Sequence, residues 1–261
     1  MLKRILREPP FRLAGKAIAR YFPCSFATKV YWEGLQRPEY AMGMFFAAQE
    51  AVLLGVGEIL VAEFGVASGS GLLVMQTHAA AILREIGVRV SVVGFDLGTG
   101  LPAPLDYRDH PELWRTGDFP MNEAQLRRKL MPHTSLVLGD VAQTVPSFVA
   151  QQNVPLGFAA FDVDFYSSTM AALKVLSLPR RQILPRTPLY FDDVDLPYNH
   201  RFAGQLLAVD DFNRESPDVK VDVWHGIAPK CAFSDSRWIG KMYMAHDLTA
   251  ASTQRKRVAV M

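Results

Sequence analysis

From residue 38 onward the chain alternates apolar runs of two lengths. Residues 38–54 form a long run of helical length, opened by Arg37-Pro38-Glu39. Proline suits a first helical turn, and glutamate suits the positive end of the helix dipole. Gly55 and Gly57 close the run. Residues 59–64 are then a short apolar run of strand length. Further strand-length runs fall at 88–95, 135–138, 157–161 and 188–191, and helical patterns at 71–86, 122–130, 167–178 and 201–212. Strands alternating with helices predict an α/β fold: a doubly wound, Rossmann-like, mostly parallel sheet with helices on both faces. Residues 219–224 and 241–245 are late strands with no convincing helix between them. They predict a hairpin that adds an antiparallel strand. The division that follows is an N-terminal helical arm over 1–55, the sheet domain over 56–246 and a tail over 247–261.

Composition narrows the partners. The 261 residues carry a formal net charge of +2 and are 49% hydrophobic and 21% charged, an ordinary globular balance that gives no reason to expect a nucleic-acid binder. Cys24 and Cys231 are the only cysteines and have no metal-type spacing, so a reducing, cytoplasmic setting is expected. No apolar signal-peptide core follows Met1-Leu-Lys-Arg4. The most apolar stretch, 40–67, is broken by Gln49, Glu50, Glu58 and Glu63, which argues against a transmembrane helix. In the arm, Lys3, Arg4, Arg7, Arg12, Lys16 and Arg20 alternate with Leu2, Ile5, Leu6, Phe11, Leu13, Ile18 and Phe22. That pattern also suits a membrane surface, but Pro9-Pro10 interrupts any long amphipathic helix. The arm is therefore expected to pack its aromatics on its own domain or on a second copy of the chain. The run Gln254-Arg-Lys-Arg257 reads as a solvated end.

The richest chemical motif is Glu63-Phe-Gly65-Val-Ala-Ser-Gly69-Ser-Gly71, between a strand-length run and a helical one. Glycines there permit a tight turn and close approach of a ligand to the backbone, at the sheet edge where open α/β sheets bind ligands. A dinucleotide fingerprint fails on spacing: read from Gly69 its third glycine position holds Val74, and read from Gly65 its second holds Ala67. The order acid-x-G-x-x-x-G-x-G instead resembles motif I of S-adenosylmethionine (SAM) methyltransferases, which implies a loop lying along the methionine part and ribose of SAM. Asp96 ends the next strand, where a carboxylate can accept from ribose hydroxyls. Gly139-Asp140 follows the strand after that, and the resemblance places Asp140 near the adenine.

A second cluster is acidic. Phe161-Asp162-Val-Asp164-Phe-Tyr166-Ser-Ser-Thr169 follows one strand, and Asp192-Asp193 follows the next. If these strands are neighbours, their ends lie about 5 Å apart, and carboxylates that close raise one another's pKa or recruit a hard divalent cation such as Mg²⁺ or Mn²⁺. Aspartates also serve as turn and cap residues, a reading open for Asp164 and Asp195.

These blocks, with Phe95-Asp-Leu-Gly-Thr-Gly-Leu-Pro102 and Trp114-Arg-Thr-Gly-Asp-Phe119, resemble the macrocin-type O-methyltransferases that act on sugars of natural products. The resemblance spans about residues 60–215. It implies SAM held by Glu63, Gly65, Gly69, Gly71, Asp96 and Asp140, and a divalent metal held by Asp162, Asp192 and Asp193. The chain departs from the family pattern at Leu97-Gly98-Thr99, where a Ser/Thr, an aromatic and a Glu are usual. It departs again after Asp193. Catechol-type relatives carry a lysine base where Phe165 stands, so the base must come from elsewhere: His200, His225 or the aspartates themselves. Asp162 and His200 are the catalytic candidates.

The reading is a SAM-dependent O-methyltransferase for a hydroxyl of a small molecule or sugar. The metal would lower the hydroxyl pKa and orient the oxygen toward the methyl group. Two alternatives belong to other classes: a SAM-binding scaffold without catalysis, and an NAD-dependent dehydrogenase that shares the glycine loop and Asp96.

Overall fold

The computed structural model describes residues 10–179, 182–197 and 199–253. The basic run Lys3–Arg7, Pro9 and the stretch from Gln254 lie outside the described residues. The arm contributes α1 (Phe11–Tyr21) and α2 (Phe26–Tyr31), the latter capped by Ser25 Oγ, which accepts from the Thr28 N–H. Ala19, Phe26 and Val30 are buried, and Lys16 pairs with buried Glu33 at 3.2 Å. The burial expected of the arm's aromatics is incomplete. Phe11, Leu13, Ile18, Tyr21 and Phe22 are all exposed, and Ala19 is the one buried residue of α1.

Next come α3 (Pro38–Leu54), β1 (Glu58–Phe64), α4 (Ser70–Ile86), β2 (Arg89–Asp96), α5 (Glu123–Arg127) and β3 (Thr134–Leu138). They are followed by α6 (Val141–Gln151), β4 (Leu156–Phe161), α7 (Tyr166–Leu173), β5 (Arg186–Phe191) and α8 (Gly204–Glu215). The chain finishes with β6 (Val219–Val223), β7 (Met242–Asp247) and α9 (Leu248–Thr253). Two helices fell outside the periodicity argument. One is α6, whose interior Pro146 obscures the pattern, and the other is α9 in the expected tail.

The seven strands run in the order β3-β2-β1-β4-β5-β7-β6, parallel through β5 and antiparallel at β5–β7 and β7–β6. This is a doubly wound sheet. The late hairpin is present, and it inserts β7 between β5 and β6. One core layer packs α3 and α4 on the sheet, with Tyr40, Met44, Leu72 and Phe158 inside. The other packs α6, α7 and α8, with Val145, Leu173 and Phe212.

The second layer ends in a row of four rings. Phe95 stacks on Phe64 at 4.9 Å, Phe64 on Phe161 at 5.1 Å and Phe161 on Phe191 at 4.8 Å, all within 15° of parallel. Parallel register puts these phenylalanines side by side at the carboxyl ends of β2, β1, β4 and β5. The residues after them therefore meet at one common edge: Asp96 as the last residue of β2, and Gly65, Asp162 and Asp192 just beyond their strands. That edge includes the switch point between β1 and β4, from which the chain winds in opposite directions.

Candidate functional site

A cavity of about 610 Å³ lies along this edge. It is lined by the Gly65–Gly71 loop at one end and by Asp162, Asp164, Asp192 and Asp193 at the other. Segment 97–119 forms an outer wall with Leu101, Pro102, Trp114 and Phe119.

The loop is held open by close approaches that only glycine permits. Gly65 has φ +86°, and a Cβ there would lie 1.7 Å from the Asp162 carbonyl oxygen. At Gly71 a Cβ would lie 1.7 Å from Glu63 Oε1. The Glu63 carboxyl thus fills the space over Gly71. It accepts from the Tyr40 hydroxyl at 2.9 Å through Oε1, while Oε2 is buried with no partner. Burial pushes the Glu63 pKa up to about 8, with a smaller push from Asp162, against the pull of Tyr40, Arg37 and the Leu72 N–H.

Gly69 behaves differently from the expectation that a ligand meets its backbone. It is the N-cap of α4 at φ +85°, it does not line the cavity, and a Cβ there would meet Leu126 Cδ1 at 2.3 Å. It is a turn and packing glycine. Asp96 lines the cavity, but its carboxylate is already engaged. Oδ2 accepts from the Val66 and Ala67 N–H groups at 2.8 and 2.9 Å, and Oδ1 accepts from Gly98 at 2.6 Å. It therefore ties the loop to β2, and a second lone pair on each oxygen remains for a ligand. Asp140 also lines the cavity while capping α6, accepting from Ala142 at 2.8 Å through Oδ1.

At the other end, Asp162 follows β4 and Asp192-Asp193 follow β5, its parallel neighbour. Their backbones are pinned: the Asp162 N–H donates to Phe64 O at 2.8 Å and the Asp192 N–H to Phe161 O at 3.0 Å. Gln205 on α8 accepts from the Asp193 N–H at 2.9 Å and donates to Phe161 O at 3.0 Å. One oxygen from each aspartate lies within 4.8 Å of the others. Burial, then repulsion from Asp192, raises Asp162 to about 6. Burial, then Asp162 and Asp192, raises Asp164 to about 7, and burial pushes Asp193 well above the usual carboxylate range. Asp193 Oδ2 is buried without a partner.

These residues fit a divalent cation. They offer three converging hard oxygen donors, one of them a buried orphan.

His200 is exposed and does not line the cavity. Its ring packs 5.4 Å from that of buried His110 and 6.1 Å from Phe202. The loop after Asp193 carries it outward, because Asn199 turns back to donate to Asp193 O at 3.0 Å. His225 is exposed beside Asp222 at 3.6 Å. Of the two catalytic candidates, only Asp162 faces the cavity.

Two site residues escaped the sequence reading. Arg37 lines the cavity from the start of α3, and Lys241 reaches Asp192 from the start of β7. The Lys241 ammonium donates to the Asp192 carbonyl and lies 3.5 Å from Asp192 Oδ1 and 2.9 Å from Asp195 Oδ1. Tyr190 donates to Asp192 Oδ1 at 2.5 Å. Lys241 has no motif around it, and only the antiparallel insertion of β7 brings it here. Arg37 gave one signal, its place before Pro38, which disfavours helical backbone there.

No protein-family model matches the chain, and no curated protein does. Among solved structures, the chain is similar to the calicheamicin methyltransferase CalS11, with 23% identity over 84% of this chain and 90% of that one and a TM-score of 0.53. An apo structure of CalS11, described as a TDP-rhamnose 3'-O-methyltransferase, gives 22% identity over 82% and 88% with a TM-score of 0.43. MycE methyltransferase of the mycinamycin pathway, in complex with Mg and S-adenosylhomocysteine, gives 13% identity over 77% and 48% with a TM-score of 0.41. The first match shows that this chain shares the Rossmann-like fold of that structure; the other two superpose too loosely to add to it. No helix among the described residues is long and apolar enough to cross a membrane.

Proposed function

We propose that the chain is a SAM-dependent O-methyltransferase acting on a hydroxyl of a small molecule or sugar, with a divalent cation held by Asp162, Asp192 and Asp193. One observation carries this reading: a single cavity joins the Gly65–Gly71 loop to the three converging aspartates. The loop lines the cavity beside β1, and the unpartnered Glu63 Oε2 is an acceptor for a donor group of the cofactor. Asp96 and Asp140 offer remaining lone pairs to ribose and adenine. SAM supplies a methyl group activated on a sulfonium. Asp162, Asp192 and Asp193 would hold the divalent ion, which would polarise the acceptor hydroxyl and lower its pKa. The wall around Trp114 and Phe119 limits water, and Asp162 is the carboxylate that both binds there and takes the hydroxyl proton. The test is transfer of labelled methyl from SAM to a panel of sugars and polyhydroxylated metabolites, with Mg²⁺ or Mn²⁺ and with excess EDTA. The expected result is SAM binding and metal-dependent transfer to at least one acceptor. Failure to bind SAM, or NAD binding in its place, refutes the reading.

A further inference from the structure

The Arg37 guanidinium stands at the cofactor end of the cavity with little to hold it. Its backbone is left-handed, φ 48° and ψ 66°, a strained state for a side chain of this size. That conformation, imposed ahead of Pro38, turns the side chain across the start of α4. There Nη2 donates to Ser70 Oγ at 3.3 Å, and the guanidinium lies 5.0 Å over the Tyr40 ring. The remaining N–H groups make no hydrogen bond among the described residues, and the carboxyl groups of Glu63, Asp162 and Glu39 attract it from a distance without a direct ion pair.

The placement runs against helix electrostatics. The N-terminal end of α4 carries positive partial charge, and Gly69 leaves it without a side-chain cap. A guanidinium set on that pole is repelled unless an anion lies between them. The neighbouring Glu63 is 2% exposed, lines the same end and has Oε2 unpartnered, ready for a cationic group. A vacant anion position and a vacant cation acceptor side by side match a zwitterion, the form of a free α-amino acid.

We propose that Arg37 binds the α-carboxylate of the methionine end of SAM, together with the N-terminal end of α4. This rests on the SAM reading above and adds a residue that no motif contains. Arginine suits the task, since its planar fork meets a carboxylate through two parallel hydrogen bonds.

Arg37→Asn removes the guanidinium and keeps a residue that tolerates left-handed backbone, so the variant is expected to melt with the wild type. Calorimetry would compare SAM with decarboxylated SAM, which lacks only the carboxylate. Wild type should prefer SAM by at least about 10-fold, and Arg37→Asn should lose most of that preference through weaker SAM binding. Arg37→Lys should fall between them. Equal affinity of wild type for the two ligands overturns the proposal, as does a preference that survives in Arg37→Asn. A loss seen only in acceptor KM would reassign Arg37 to the acceptor and overturn it too. Wild type binding neither ligand refutes the SAM reading itself, a distinct outcome.

Discussion

Glu63→Gln tests the electrostatics of the cofactor end most directly. In the unfolded chain the carboxyl titrates near 4.5, and burial moves it to about 8 in the folded protein. Between these values the folded state keeps a proton that the unfolded chain has released. Stability from this group is therefore fully present below about pH 4.5, falls as pH rises, and levels off above about 8. At roughly 1.4 kcal/mol per pKa unit, the whole window is worth about 5 kcal/mol, and the part between pH 5 and 7.5 about 3 kcal/mol. Glutamine keeps the volume and an acceptor for Tyr40 but does not titrate. Urea unfolding followed by tryptophan fluorescence at pH 5.0, 6.2 and 7.5 would give both stability profiles. Asp162 and Asp164 tilt the two profiles alike, so the difference isolates Glu63. The variant should gain on the wild type by about 3 kcal/mol over that range. Parallel profiles would mean that the buried carboxyl is ionised throughout, and the reasoning fails.

Phe161→Ala removes the ring stacked between Phe64 and Phe191 and should cost about 3–5 kcal/mol in chemical denaturation; a loss under about 1 kcal/mol would show that the ring row is ornamental. Gly71→Ala forces the Glu63 carboxyl aside and should weaken SAM binding while lowering stability by about 1–3 kcal/mol, read by calorimetry and by melting. Mg²⁺ at about 100 times its Kd should stabilise the protein by roughly 2.7 kcal/mol, and Asp193→Asn should abolish that gain; an undiminished gain places the ion elsewhere. Asp192→Asn should lose transfer activity and keep SAM affinity nearly intact, because Asp192 sits at the acceptor end. Full activity of that variant in excess chelator refutes the metal mechanism.

Periodicity marked the strands because β4 is apolar throughout, β2 is rich in valine and β6 alternates valine with charged residues. The helix 38–54 was bounded to the residue by Pro38 and Gly55. The two aspartate blocks could be placed together in advance because a crossover of that length brings adjacent parallel strands side by side. What sequence could not deliver was orientation. His200 sits seven residues after Asp193, close enough to look catalytic, yet a hydrogen bond from Asn199 turns that loop out of the cavity. Gly69 belongs to the motif by spacing, but its Cα faces Leu126. Asp96 is where a ribose acceptor belongs, and three backbone N–H groups claim it for the loop. Lys241 joins the acids only through antiparallel pairing of β7 with β5, a contact between distant parts of the chain.

The register of the sheet explains how two half-sites share one edge. Side chains alternate along a strand, so a phenylalanine turned into the helical core sends its successor toward the other face or out of the sheet. The parallel pairs Phe64–Phe95, Phe64–Phe161 and Phe161–Phe191 set four such successors in a row: Asp96, Gly65, Asp162 and Asp192. Three strand spacings separate the first from the last, about 14 Å. Gly65 is the one member without a side chain, and it stands between Asp96, which ties the glycine loop to β2, and the converging aspartates. A side chain there would strike the Asp162 backbone and push β1 and β4 apart at this edge. The two ends of the cavity are thus kept apart by strand spacing, with one glycine between them. A one-residue slip of β4 would dissolve the ring row and the aspartate cluster together, because both depend on the same pairings.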